Sequence, residues 1–319
     1  ALAHANRLPV LMLCGDTFLT RLPDPVLQQI EHFGNPAFGL NDAFKAVSRY
    51  WDRITHPAQI IQSLPAAVNT MLDPADCGPA FIALPQDVQG WTYDYPVEFF
   101  KGRDHNIRSQ PADPAEIGDA ALLLQSAKRP MIIAGGGVQY GDAVKELTAF
   151  AEATQIPVVE TIAGRANMTH DHPLNIGPIG VTGSDSANTI AEEADVILAV
   201  GTRLQDFTTG SWTAFAKDAK FIGLNVGRHD ATKHMSLPVI GDCKLTLPAL
   251  QAEANYSAPA DWADKAKTER KKWNAYVTEN TRVGNRPNSY AQAIGVVNDL
   301  CHKRDRVVAA AGGLPAEVT

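Results

Sequence analysis

Between Pro111 and Leu250 short apolar runs alternate with amphipathic stretches of helical period, and this alternation restricts the possible fold more than any other feature of the chain. Runs such as Pro130-Met131-Ile132-Ile133-Ala134 and Val196-Ile197-Leu198-Ala199-Val200 carry no polar residue on either face. A strand of that kind must be covered above and below, which is the situation of a parallel sheet wound with helices on both sides. The pattern predicts strands at Pro130–Ala134, Ile156–Val159, Ala194–Val200 and Lys220–Val226. Between them it predicts a helix from about Asp142, as N-cap, a long loop reaching Gly183, a helix near Ser186–Glu193 and a closing helix over Leu245–Ala252. Residues 1 to about 100 carry a second, partial α/β pattern, with strands at Val10–Leu13 and Ala80–Leu84 and a helix from Pro57 to about Met71. A Pro-, Asp- and Arg-rich stretch from Lys101 to Ala115 reads as a linker. A helix capped by Asp261 is expected to run to about Glu279 with Trp262, Ala266, Trp273 and Val277 on one face.

With 319 residues, 45% of them hydrophobic, the chain has material for about two domains at the usual ~150 residues each. Its 28 Lys+Arg against 35 Asp+Glu leave a net charge of −7, with no basic stripe for a phosphate backbone or an anionic membrane. Nucleic acid and membrane are therefore not expected partners. The longest apolar runs fall far short of the ~20 residues of a spanning helix. Cys14, Cys77, Cys243 and Cys301 lie far apart without CxxC spacing, as reduced thiols of a cytoplasmic protein do.

The triplet Gly135-Gly136-Gly137, after a strand and before a helix, is a place where backbone N–H groups can meet a nucleotide phosphate; a tight turn is the alternative. Gly201-Thr202-Arg203 ends another strand at what should be the same sheet edge, where open α/β sheets bind ligands. His170, His172, His229 and His234 match no metal-ligand spacing and read as loop residues. GxSxG, HExxH and SxxK are absent, so the usual hydrolase nucleophiles are missing. Asn41-Asp42-Ala43-Phe44-Lys45 is either the lip of a site or a capped helix start. Residue types alone name no reaction, and a non-catalytic nucleotide-binding module stays open beside an enzyme.

The order of segments resembles the thiamine-diphosphate enzymes of the acetohydroxyacid synthase type. The resemblance is carried by Arg7–Asp16, by Cys77-Gly78-Pro79 through Gln89, by Arg129-Pro130 with the following glycine turn, by Glu193-Ala194-Asp195 and by Val200–Leu204. Leu22–Phe33, Asn41–Lys45 with Ser48-Arg49-Tyr50, Tyr93–Pro96 and Ala309–Pro315 are similar to one branch, which hydrolyses a C–C bond of a trihydroxycyclohexanedione in inositol catabolism. Synthases of the family carry Gln where this chain has Lys45, although another carboligase or decarboxylase remains the alternative.

The resemblance implies the C-terminal part of a pyrimidine-binding domain at 1–105 and a complete central doubly wound domain at 106–255. A linker helix at 256–287 and the first strand of a pyrophosphate-binding domain within 288–319 would follow. It implies thiamine diphosphate and Mg²⁺, a small polyhydroxylated cyclic dione as substrate, and a homodimer or homotetramer. Lys45 and Asn41 would serve the reaction, and Phe44 would face the thiamine. Gly135, Gly136, Gly201, Thr202 and Arg203 match positions where relatives hold FAD or ADP, a crevice expected to be vestigial here. The activating glutamate and the metal motif of the family would lie before residue 1 and after residue 319. The chain is thus expected to be a fragment without turnover of its own.

Overall fold

The computed structural model describes residues 1–319 apart from Gln28, Glu31, Val283, Asn285, Arg286, Lys303, Arg304, Ala309, Ala311 and 313–319. The chain divides into two compact units, Ala1–Arg108 and Ser109–Thr319.

The first unit opens with the short helix α1 (Leu2–Ala5) and strand β1 (Leu11–Asp16), followed by a 3₁₀ helix over Leu40–Val47. Strand β2 (Tyr50–Arg53), helix α2 (Ile60–Leu72) and strand β3 (Ala80–Pro85) complete it. The three strands form a parallel sheet in the order β1-β3-β2. β3 is central and almost wholly buried, while β1 and β2 are edges. Ile54, Ala67, Ala80, Ile82 and Val88 make a small core under α2. The helix predicted from Pro57 begins there as a 3₁₀ turn, with the His56 ring accepting the Ala58 N–H.

The second unit runs α3 (Pro114–Gln125), β4 (Pro130–Ala134), α4 (Gly137–Tyr140), α5 (Val144–Thr154), β5 (Val158–Glu160) and β6 (Asn175–Pro178). It continues with α6 (Asp185–Glu193), β7 (Val196–Val200), α7 (Asp206–Thr209), β8 (Lys220–Asn225), α8 (Arg228–Ala231) and β9 (Leu237–Ile240). Three helices close it, α9 (Cys243–Ala254), α10 (Ala260–Asn280) and α11 (Tyr290–Leu300). Its six strands are all parallel, in the order β6-β5-β4-β7-β8-β9. The strand order reverses between β4 and β7, the position where doubly wound sheets open a crevice at their carboxyl edge.

Alternate residues of the buried strands feed two separate cores. Ile132, Ala134, Val158, Leu198, Val200, Ile222 and Leu224 pack on one face with α3, α5 and α9, whereas Met131, Ile133, Val159, Ile197 and Ala199 pack on the other with α6 and α10. This split explains why the strands lack polar alternation: a polar residue on either face would enter a core and lose its hydration. Trp262 locks α10 onto the sheet, its indole N–H donating to the Pro130 carbonyl at 2.8 Å.

Several expectations need correction. Asp142 does not cap a helix: it sits at φ 50°, α5 starts at Val144, and the Asp142 carboxylate pairs with Lys244 at 2.6 Å. Strand β5 lies two residues later than predicted at its start and the loop after it contains β6, whose Gly177 and Pro178 hide its character in sequence. Strands β2 and β9 were likewise not foreseen. Pro259, not Asp261, occupies the N-cap of α10, and only the first half of that helix is buried, so Val277 is exposed. Of the strand expected within 288–319, Val307 and Val308 lie in no strand and are exposed. Ala309, Ala311 and the stretch 313–319 lie outside the described residues.

Candidate functional site

In the first unit the polar residues gather at the carboxyl ends of β1 and β2. The segment Leu40–Val47 is fixed at its start by the Gly39 N–H, which donates to Asp42 Oδ2 at 2.8 Å, and at its end by Ser48 Oγ, which donates to the Phe44 carbonyl at 2.8 Å. Asn41 is buried, and its side-chain N–H donates to the Gly15 carbonyl at 2.8 Å, tying the segment to the end of β1. The Trp51 indole N–H donates to the Asn41 carbonyl at 3.0 Å. The Phe44 ring stacks on Phe81 of the central strand with centroids 4.9 Å apart. Asn41, Phe44 and Lys45 are thus brought together on one short helix. Asn41 spends its amide N–H on the backbone, while Lys45 reaches outward.

Arg53 and Asp16, to which the sequence reading gave no role, complete this cluster around Asp42. Arg53, at the end of β2, donates to Asp16 Oδ2 at 2.5 Å and to Asp42 Oδ2 at 2.7 Å, and Lys45 Nζ lies 2.6 Å from Asp42 Oδ1. Burial pushes the Asp42 carboxyl up, but hydrogen bonds from Arg53, Lys45 and the Gly39 N–H outweigh it and hold the group down at about 2. Arg53 is raised above its ordinary value, burial being overcome by its two carboxylates. The usable signal was positional: Asp16 and Arg53 each stand at the carboxyl end of a strand, where side chains face ligands rather than a core.

The second unit places Gly135, Gly136 and Gly137 at the end of β4 and Gly201, Thr202 and Arg203 at the end of β7, on both sides of the switch point. The two turns lie directly against each other. The Gly135 N–H donates to the Val200 carbonyl at 2.8 Å, and the Gly137 N–H donates to the Gly201 carbonyl at 2.9 Å. A Cβ on Gly135 would stand 2.4 Å from the Gly201 oxygen, and one on Gly137 would stand 2.7 Å from Gly201 Cα. Gly201 itself has φ 58° and approaches Gly137 equally closely. Asn167, fully buried, donates from its amide to the Gly135 carbonyl at 2.8 Å. Thr202 Oγ1 accepts the Leu204 N–H at 3.2 Å, and the Arg203 carbonyl accepts from Lys233 Nζ at 3.3 Å.

The glycines therefore have an evident structural duty. The Gly135 and Gly137 N–H groups are spent on β7, and the helix that follows has only four residues, too short to aim a strong dipole at a phosphate. Beside this edge, Glu160 is buried at the end of β5; burial pushes its carboxyl up, and its Oε1 accepts the Met168 N–H at 2.9 Å.

His172 Nε2 lies 3.2 Å from Glu152, and the His234 ring lies against Trp212. Among the described residues no group of three or more His, Cys, Asp or Glu converges as a metal site. No described helix is long and apolar enough to cross a membrane.

Residues 117–250 match the family described as thiamine pyrophosphate enzyme, central domain. Curated relatives extend the likeness over both units. The chain is 46% identical over 275 residues, 86% of its length and 43% of the relative's, to the 3D-(3,5/4)-trihydroxycyclohexane-1,2-dione hydrolase of Clostridium tetani. It is 40% identical over 342 aligned positions to the protein of the same name in Geobacillus thermodenitrificans, covering 100% of this chain and 53% of that one. A third, from Listeria monocytogenes, is 40% identical over 99% of this chain and 53% of its own. The chain thus spans about half the length of the curated relatives it matches. The parallel doubly wound sheet of the second unit and the family match that falls on it agree: residues 117–250 are a thiamine pyrophosphate enzyme central domain, in a chain whose likeness to the named hydrolases continues through the first unit.

Proposed function

We propose that the chain serves the reaction for which its relatives are named, the hydrolytic opening of trihydroxycyclohexane-1,2-dione to 5-deoxyglucuronate in inositol catabolism. The observation that carries the reading is the 40% identity running through 100% of the chain, so the likeness includes the Leu40–Val47 segment as well as the central domain. We assign residues 1–105 to the C-terminal part of the pyrimidine-binding domain, 106–255 to the central domain and 256–287 to a linker helix, with 288–319 leading toward a pyrophosphate-binding domain.

Thiamine diphosphate, when bound, supplies the carbon nucleophile and the electron sink that C–C cleavage requires. The described residues fit that group in part. The half-buried Phe44 ring, backed by Phe81, offers an apolar shelf that keeps water from a reacting carbon, and Lys45 beside it offers a cation. We include Mg²⁺ in the proposal as partner of the diphosphate, but its ligands are assigned to no described residue, since no three His, Cys, Asp or Glu side chains converge among the described residues.

Lys45 Nζ donates a hydrogen bond to a substrate oxygen as charge develops on it. Asn41 holds the helix that carries Lys45 against β1. Gly135, Gly136, Gly201, Thr202 and Arg203 form the vestige of a nucleotide crevice in which the Gly135 and Gly201 N–H groups donate to the Val200 and Leu224 carbonyls. Assembly as a homodimer or homotetramer in the cytoplasm belongs to the same reading, and sedimentation of the holoenzyme tests the first part.

The deciding experiment incubates the holoenzyme, thiamine diphosphate and Mg²⁺ with the cyclic dione and follows 5-deoxyglucuronate by mass spectrometry. Consumption of pyruvate with no opening of the dione would replace the reading by a synthase.

A further inference from the structure

We propose that Asp42 is a positioning residue for Lys45, holding the ammonium against the Trp51 ring so that its remaining hydrogens point at an oxygen of the polyhydroxylated ring. The inference rests on the role given to Lys45 above and adds Asp42, Trp51, Arg53 and Asp16 to it.

An exposed lysine three residues from an acid is ordinarily a weak, mobile pair, because two flexible side chains must be ordered for little gain in water. Here the two partners are unequal. The side chain of Lys45 is 51% exposed, whereas that of Asp42 is 2% exposed. Asp42 is already fixed before the lysine arrives, since Oδ2 accepts from both the Gly39 N–H at 2.8 Å and Arg53 at 2.7 Å. Arg53 is fixed in turn by Asp16. Only Oδ1 remains, and it meets Lys45 Nζ at 2.6 Å.

The underside of the ammonium is covered as well. Lys45 Nζ stands 4.2 Å from the Trp51 ring centroid, inside cation–π range, and the Trp51 indole is itself tied to the Asn41 carbonyl. An ammonium has three hydrogens. With one on Asp42 and one side against the indole, what is left faces outward from a rigid base. The arrangement turns a flexible side chain into a directed donor and lowers the ordering cost of the reaction step. Asp16 and Arg53 serve to keep Asp42 from following the lysine when a substrate oxygen competes for it.

The test is a double-mutant cycle in the holoenzyme, using Asp42→Asn, Lys45→Met and the pair. Asp42→Asn should lower kcat for dione opening by about tenfold or more with a smaller change in KM. In the Lys45→Met background the same substitution should cost less than about twofold. Asp42→Glu should recover part of the loss. Equal costs in both backgrounds overturn the proposal.

A second readout needs no turnover. In substrate-free protein, competitive acylation of Lys45, scored against Lys101 whose Glu98 partner is exposed and 3.5 Å away, should rise about threefold or more in Asp42→Asn; an unchanged ratio overturns the clamp. Trp51→Leu carries both measurements if Asp42→Asn does not fold. A wild-type holoenzyme that ignores the dione while the acylation ratio still rises places the error in the assigned reaction and not in the clamp.

Discussion

Substituting Gly135 by Ala tests the interlocked turns of the central sheet. The new methyl would stand 2.4 Å from the Gly201 oxygen, 2.6 Å from Thr202 Cβ and 2.7 Å from Thr202 Cα. Carbon atoms at rest keep about 3.5 Å, so the two turns must part by roughly an ångström. Forcing a methyl into packed surroundings costs about 1–3 kcal/mol. Parting the turns also stretches the Gly135-to-Val200 and Gly137-to-Gly201 hydrogen bonds, now 2.8 and 2.9 Å, at about 0.5–1.5 kcal/mol each. Against this, Ala restricts the unfolded chain and returns about 0.4–1 kcal/mol. The net loss is about 3 kcal/mol, or roughly 6–12 °C in Tm for a unit of this size. Near-UV circular dichroism follows the transition through Trp262, which is buried and bound to the first residue of β4. The control is Gly118→Ala within α3, where nothing lies within 4 Å of the added carbon; it should stabilise by about 0.5–1 kcal/mol. A Gly135→Ala protein within about 0.5 kcal/mol of wild type would refute the closure, because the turns would then have room for a side chain.

The closed turns also predict that FAD, ADP and NAD give no saturable heat in calorimetric titration at millimolar ligand; a fitted isotherm would reopen the crevice. Asp42 falls from 3.8 to about 2 on folding, a depressed carboxyl that stabilises the fold by about 2 kcal/mol at neutral pH. That contribution is complete above about pH 4 and lost as pH falls toward 2, so the difference in urea midpoint between wild type and Asp42→Asn should narrow across this window. Trp262→Phe leaves the Pro130 carbonyl without its 2.8 Å donor and should cost about 1–3 kcal/mol by urea denaturation. Burial pushes the Cys243 thiol up to about 12, so in native protein at pH 8 it should alkylate more slowly than Cys14, Cys77 and Cys301, with the difference vanishing in urea.

Strands buried on both faces were legible, and the strands that escaped share one physical cause. β4, β7 and β3 are continuous apolar runs because they are buried on both faces, and β8 is apolar and buried only in part. The three unforeseen strands are β2, β6 and β9, and each lies at the edge of its sheet. An edge pairs on one side only, so it tolerates Asp52 and Arg53 in β2, Gly177 and Pro178 in β6 and Pro238 in β9, residues that read as loop. The cluster around Lys45 was half legible for a different reason. Asn41, Asp42, Phe44 and Lys45 are neighbours in sequence, but Arg53 and Asp16 are 37 positions apart and meet only because β1 and β2 flank β3 in parallel. Spacing rules for one helix cannot report a contact made by sheet topology. The glycine turn was ambiguous for its own reason: a strand followed by glycines suits both phosphate binding and close backbone approach, and the packing of Gly135 and Gly137 on Gly201 favours the second.

The mutual fit of the two turns has an evolutionary consequence. A side chain added at Gly135 or Gly137 strikes the Gly201 turn, and one added at Gly201 strikes Gly137, so each partner forbids change in the other. No side chain can be gained at these positions by a single step through a stable intermediate. The loops after β4 and β7 must diverge together, by paired replacement.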